Sequence, residues 1–143
     1  MIDDVVEVTV RDGHATLDRA FVYCWFHPAD GSIMFVGATW LHPAARAELH
    51  LHGNDPAARI VGAQLEPLGI SPDAPLRMLA FPVPAALDRQ AARMDLIAAL
   101  GREGLLAASY FGPAAAQAPA DGDAPLGAWT AAVVAHLRAD AGK

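Results

Sequence analysis

Between Phe21 and Thr39 two dense apolar runs, FVYCWF and IMFVGAT, flank the turn-forming Pro28-Ala29-Asp30-Gly31. Asp-Gly between hydrophobic runs is a short-range hairpin signal. The pattern predicts paired strands over 20–27 and 32–38. Side chains alternate along a strand, which places Phe21, Tyr23 and Trp25 on one face and Val22, Cys24 and Phe26 on the other. Both sets are apolar, so this strand is expected to be central and covered on two sides. In the second strand Ile33, Phe35 and Gly37 are expected to share a face. Gly37 has no side chain, which leaves room for a ligand or a helix close to the backbone.

The flanking segments supply the covering layers. Upstream, VVEVTV at 5–10 reads as a strand, Arg11-Asp12-Gly13 as its turn and His14–Leu17 as a short return. Downstream, Pro43 suits the first turn of a helix over 43–52. Arg46 and His50, four residues apart, fall on one face of it, and Gly53-Asn54-Asp55-Pro56 stops it. A second short helix is expected over 56–65, and LRMLAFPV at 76–83 as a third strand with Pro82 near its end. The longest helical pattern covers 86–103, with Leu87, Ala91, Met94, Ile97, Ala98 and Leu100 as its apolar stripe. The run after it, GPAAAQAPADGDAP, lacks large apolar side chains and reads as a linker over 113–125. Leu126, Trp129, Val133 and Leu137 then recur in steps of three and four, predicting an amphipathic helix over 126–143. It either docks on its own domain or is tethered for a partner, a homodimer included. The expected architecture is thus a small antiparallel three-stranded sheet flanked by helices over residues 1–112, an α/β domain with an added N-terminal strand and C-terminal helix.

Bulk properties narrow the function. A chain of 143 residues suffices for one domain with a real core. No apolar run approaches the roughly 18 residues of a membrane span, and the acidic start MIDDVVEVTV is unlike a secretory signal. The single cysteine, Cys24, excludes an intramolecular disulfide and a cysteine-based zinc cluster. A buried thiol in a reducing cytoplasm is the expectation. Net charge is −6, from 10 Lys+Arg against 16 Asp+Glu. Sequence-independent DNA binders gain affinity by neutralising phosphates, and this chain shows no basic run suited to that. His42, His50 and His52 crowd together, but no pair among them has the i,i+4 spacing of helical zinc ligands. There is no phosphate-cradling glycine loop, no serine nucleophile elbow and no Cys–His pair at a recognisable spacing.

The triplet Phe21-Val22-Tyr23, the triplet Phe35-Val36-Gly37 and the following helix with Arg46 and His50 resemble the GIY-YIG nuclease family. There a Gly-Ile-Tyr strand pairs with a Tyr-Ile-Gly strand, and a helix bearing an Arg and often a His follows. The order strand–strand–helix–helix–strand–helix over about residues 20–111 is similar too. The resemblance implies phosphodiester hydrolysis, in which the first-strand Tyr positions or deprotonates water, the helix Arg stabilises phosphate charge and a Glu on a later helix holds one divalent metal. Each role is physically sound, because an anionic transition state needs preorganised cations and an activated water.

Carried onto this chain, the Tyr is Tyr23, the Arg is Arg46 and the helix His is His50, with Phe35, Gly37, Thr39 and Arg93 as candidate binding residues. The departures are specific. Phe21 stands for the first Gly, Phe35 for the second Tyr, and one extra residue separates Gly37 from the helix Arg. The family's Glu lies three residues before a Leu-Ile pair; here Leu96-Ile97 is preceded at that distance by Arg93. Asp95, Asp88, Glu66 and Glu48 are the substitutes on offer, none with motif support; Asp88 is better explained as a helix cap. The resulting expectation is a degenerate domain that binds DNA or another phosphate-bearing ligand, without a cofactor, and cleaves weakly or not at all. The alternatives are an active endonuclease using Mg²⁺ or Mn²⁺ on a relocated carboxylate, and a protein-interaction module.

Overall fold

A computed structural model describes residues 10–11, 14–15, 20–40, 42–53, 60–71, 73–113 and 124–141. Its elements are β1 (Val10–Arg11), β2 (His14–Ala15), β3 (Ala20–Phe26), β4 (Ile33–Thr39), α1 (Pro43–His52), α2 (Ile60–Gln64), β5 (Arg77–Val83), α3 (Arg89–Arg102) and α4 (Ala124–Ala141). Strands β4, β3 and β5 form a three-stranded antiparallel sheet in that order, with β3 in the middle. Strands β1 and β2 pair antiparallel as a separate ribbon; the rest of the strand expected at 5–10 lies outside the described residues.

The β3–β4 hairpin closes through local chemistry. His27 N–H donates to the Ser32 carbonyl at 2.7 Å, and Gly31 N–H to the His27 carbonyl at 2.9 Å. Asp30 accepts from both the Ser32 amide and its hydroxyl, at 2.9 and 2.6 Å. Gly31 adopts a φ of +74°, which the turn requires and glycine tolerates best.

The sheet is covered on both faces, as the doubly apolar β3 demands. Val22, Cys24 and Phe26 join Val36, Val83 and the buried face of α3 in one cluster. Tyr23 and Trp25 join Met34, Phe35, Val61, Leu65 and Ile70 in the other, beside α1 and α2. One expectation fails here. Phe35 lies in the second cluster but Ile33 in the first. The register jumps from Trp25↔Phe35 to Phe26↔Ile33, so Met34 is the extra residue of a β-bulge. A bulge resets the alternation of its strand.

Helix α3 also departs from its expected phase. Asp88 caps it by accepting from the Ala91 amide at 2.8 Å, and the buried residues are Ala92, Leu96, Ile97, Ala99 and Leu100. Ala91 is exposed instead. Helix α4 packs along α3 and so claims a second flank of it, which breaks the single-stripe pattern that the sequence reading assumed.

Helix α4 buries Leu126, Thr130, Val133, Val134 and Leu137 against its own domain. Trp129 donates its indole N–H to the Pro82 carbonyl at 2.9 Å, and Thr130 donates to Asp95 at 2.6 Å. Arg77 makes a two-pronged ion pair with Asp140, one contact at 2.6 Å, and Arg138 pairs with Glu103. The remaining edge of β4 is partly covered by the segment after α3. Ala107 N–H donates to the Ile33 carbonyl at 2.7 Å and Phe111 N–H to the Met34 carbonyl at 3.0 Å. No described helix is long and apolar enough to cross a membrane.

Candidate functional site

Tyr23 is paired directly with Gly37 on β4 and with Ala80 on β5. Its ring leans across β4, and a Cβ built on Gly37 would overlap the Tyr23 hydroxyl and ring, with Cε2 at 2.8 Å. The space that glycine leaves is therefore taken by the chain's own phenol rather than by a ligand or a helix backbone.

Helix α1 brings two further groups to that phenol. His42 caps the helix, its Nδ1 accepting from the Ala44 amide at 3.1 Å, and Pro43 occupies the first turn. Two turns later His50 is fully buried, and its Nε2 shares a 2.5 Å hydrogen bond with the Tyr23 hydroxyl. Aromatic rings enclose the imidazole: Tyr23 at 5.3 Å, Phe35 at 5.5 Å and Trp25 at 6.2 Å between centroids. Phe111 extends the stack, 5.3 Å from Phe35.

Burial raises the Tyr23 pKa above its ordinary 10.0, while hydrogen bonding and charge from Arg46 and charge from Arg93 oppose that rise. Both guanidiniums therefore lie close enough to the hydroxyl to act on it. Arg93 acts likewise on Tyr110, whose phenol is pushed up to about 12 chiefly by burial. The Nε–H groups of Arg46 and Arg93 are buried without a hydrogen-bond partner. Among the described residues, the ion pairs are Arg77–Asp140 and Arg138–Glu103, so neither of these arginines is neutralised by a described carboxylate.

The candidate residues thus divide cleanly. Tyr23, Arg46, His50, Phe35 and Arg93 come together around one phenol. Gly37 forms the floor beneath it, and Thr39 is buried at the end of β4. The substitute carboxylates are occupied or exposed: Asp88 caps α3, Asp95 accepts from Thr130 on α4, and Glu48 and Glu66 lie at the surface. Among the described residues no three His, Cys, Asp or Glu side chains gather closely enough to hold a metal ion. Sequence reasoning missed Tyr110 as a neighbour of Arg93. Its one sequence signal is the aromatic pair Tyr110-Phe111 just after α3.

The site defines a class by its contents: a buried phenol–imidazole pair flanked by two guanidiniums, on a small antiparallel sheet between helical layers. Neither a family model, nor a curated protein, nor a solved structure gives a significant match to the chain.

Proposed function

We propose that this domain is a degenerate relative of the GIY-YIG nucleases that binds a phosphate-bearing ligand or nucleic acid and cleaves phosphodiesters weakly or not at all. The observation that carries the reading is the pair Arg46 and Arg93 at the Tyr23 hydroxyl, with no described carboxylate to balance them. A phosphate oxygen would accept charge-assisted hydrogen bonds from the two guanidiniums, and bonds of that kind are the strong ones. A divalent cation meets the opposite field. At an effective dielectric of about 20, a dication about 6 Å from one guanidinium is disfavoured by about 5.5 kcal/mol. Arg93 stands where the family resemblance would put the metal-binding Glu, so the substitution exchanges a cation site for an anion site.

One observation favours a second reading, an active phosphodiesterase. The Tyr23–His50 hydrogen bond is a plausible proton path for activating water. It lacks a described carboxylate to place a metal beside it. The experiment that separates the readings incubates purified protein with supercoiled plasmid and with branched or single-stranded DNA in Mg²⁺ or Mn²⁺. The proposal expects little cleavage. Robust cleavage that disappears in Tyr23→Phe and Arg46→Ala would establish the nuclease instead.

A further inference from the structure

Trp40 follows the last residue of β4 and is 42% exposed; among the described residues Leu49 is the other large hydrophobic side chain left in solvent. What lies against the indole is a cation rather than a core side chain. The Arg89 guanidinium sits over the ring, 5.1 Å from its centroid. Among the described residues no second ring packs on it.

This pair continues the arginine site along one line. Helix α3 packs on β4 and runs antiparallel to it. Just past the end of α3 the Leu105 carbonyl accepts at 3.2 Å from the amide of Ile33, which opens β4. At the start of α3 Arg89 lies over Trp40, which follows β4. Arg93 is four residues after Arg89, on the same flank of the helix and about 6 Å along its axis. Gly37, against which the Tyr23 hydroxyl rests, stands three residues before Trp40. The arginine row therefore follows the strand end from the exposed indole toward the phenol, where Arg46 joins it. The described ion pairs use Arg77 and Arg138 instead, and Asp88, beside Arg89 in sequence, is engaged in capping α3.

Arginines in line with an exposed aromatic ring suit a single strand of nucleic acid. The guanidiniums take backbone phosphates, and the ring takes the face of an unpaired base. Inorganic phosphate offers the indole nothing. A duplex keeps its bases stacked on one another, and its binders neutralise many phosphates, which three arginines on a chain of net charge −6 do not match.

We infer that Trp40 is a base-stacking residue, and that the ligand of the arginine site is single-stranded nucleic acid, one phosphate at Arg46 and Arg93 and a neighbouring base on the indole beside Arg89. The inference rests on the reading of Arg46 and Arg93 as a phosphate site.

The test compares three 5′-phosphorylated probes: a short thymidylate strand, an abasic strand of equal length and charge, and a hairpin duplex. Affinity is measured by calorimetry, and tryptophan emission is followed in parallel. The thymidylate strand should bind about fivefold or more tighter than the abasic strand, the usual worth of one stacked base. It should also bind tighter than the duplex and quench the emission. Trp40→Ala should erase the preference for bases while leaving abasic binding unchanged. Trp40→Phe should keep most of the preference but lose the quenching, because the ring remains and the reporting indole is gone. Circular dichroism checks that both variants are folded. Equal affinity for thymidylate and abasic strands, tighter binding of the duplex, or a preference that survives Trp40→Ala would overturn the inference. Abasic binding that still depends on Arg46 and Arg93 would leave the phosphate reading standing in that case. Failure of all three probes to bind would overturn both.

Discussion

Replacing Gly37 by alanine strikes the contact around which the site is built. The new methyl would overlap the Tyr23 hydroxyl and ring. Tyr23 has nowhere to retreat, being 1% exposed, hydrogen-bonded to His50 at 2.5 Å and faced by Phe35 at 6.3 Å. Overpacking of such a core costs about 1–3 kcal/mol. If the ring swings away, the buried hydroxyl and imidazole lose each other, adding about 1–3 kcal/mol. The expected destabilisation is therefore about 1–6 kcal/mol, measured as a shift in urea midpoint at unchanged m-value. The mechanism is tested by repeating the change in a Tyr23→Leu background, where the overlapping atoms are gone. There Gly37→Ala should cost less than about 1 kcal/mol, giving a large coupling between the two positions. A cost below about 0.5 kcal/mol in the wild type, or equal costs in both backgrounds, would refute the account of why glycine stands there.

Three further outcomes follow from the same structure. Removing residues 113–143 strips the α4 cover from α3 and β5, and loss of Leu126, Val133 and Leu137 at about 1.5–3 kcal/mol each should lower the melting temperature sharply; an unchanged thermal scan would show that α4 contributes nothing. Trp129→Phe, which keeps an aromatic ring but loses the indole N–H bond to the Pro82 carbonyl and part of the packed area, should cost at least about 1 kcal/mol in urea unfolding. Stability should fall as pH rises above about 9. Cys24 is pushed from 9.0 to about 12 and Tyr110 from 10.0 to about 12, so in this window the unfolded chain loses protons that the native chain keeps. Cys24→Ala should flatten that decline by up to about 1.4 kcal/mol per pH unit, and identical slopes for the variant and the wild type would contradict the burial argument.

The parts of this fold that were legible in the sequence are those decided locally. Asp30-Gly31 between apolar runs is enough to specify the hairpin, because the turn satisfies itself through Asp30 and a left-handed glycine. Pro43 marks the start of α1, and the three- and four-residue steps of Leu126, Val133 and Leu137 mark α4. The parts that were not legible depend on partners distant in sequence. The bulge at Met34 is a matter of pairing between strands, and it moved Ile33 to the opposite layer. The face of α3 differs from the expected one because α4, distant in sequence, covers a second side of it. Gly37 was read as an opening for a ligand because nothing in the sequence says that the Tyr23 ring would lie across the neighbouring strand. Asp95, one of the substitute carboxylates that the sequence offers, accepts from Thr130 on α4, a partner that local pattern does not reveal.

The proposed anion site at Arg46 and Arg93 stands or falls on calorimetric titration with a short single-stranded oligonucleotide. The oligonucleotide is compared with and without a 5′-phosphate, at several salt concentrations, in the wild type and in the Arg46→Ala/Arg93→Ala double variant. Engagement of one or two phosphates predicts a slope of log K against log salt of about −0.7 to −1.4. Tighter binding of the phosphorylated strand, with the preference and most of the slope lost in the double variant, is the predicted result. Equal binding by the wild type and the double variant would contradict it.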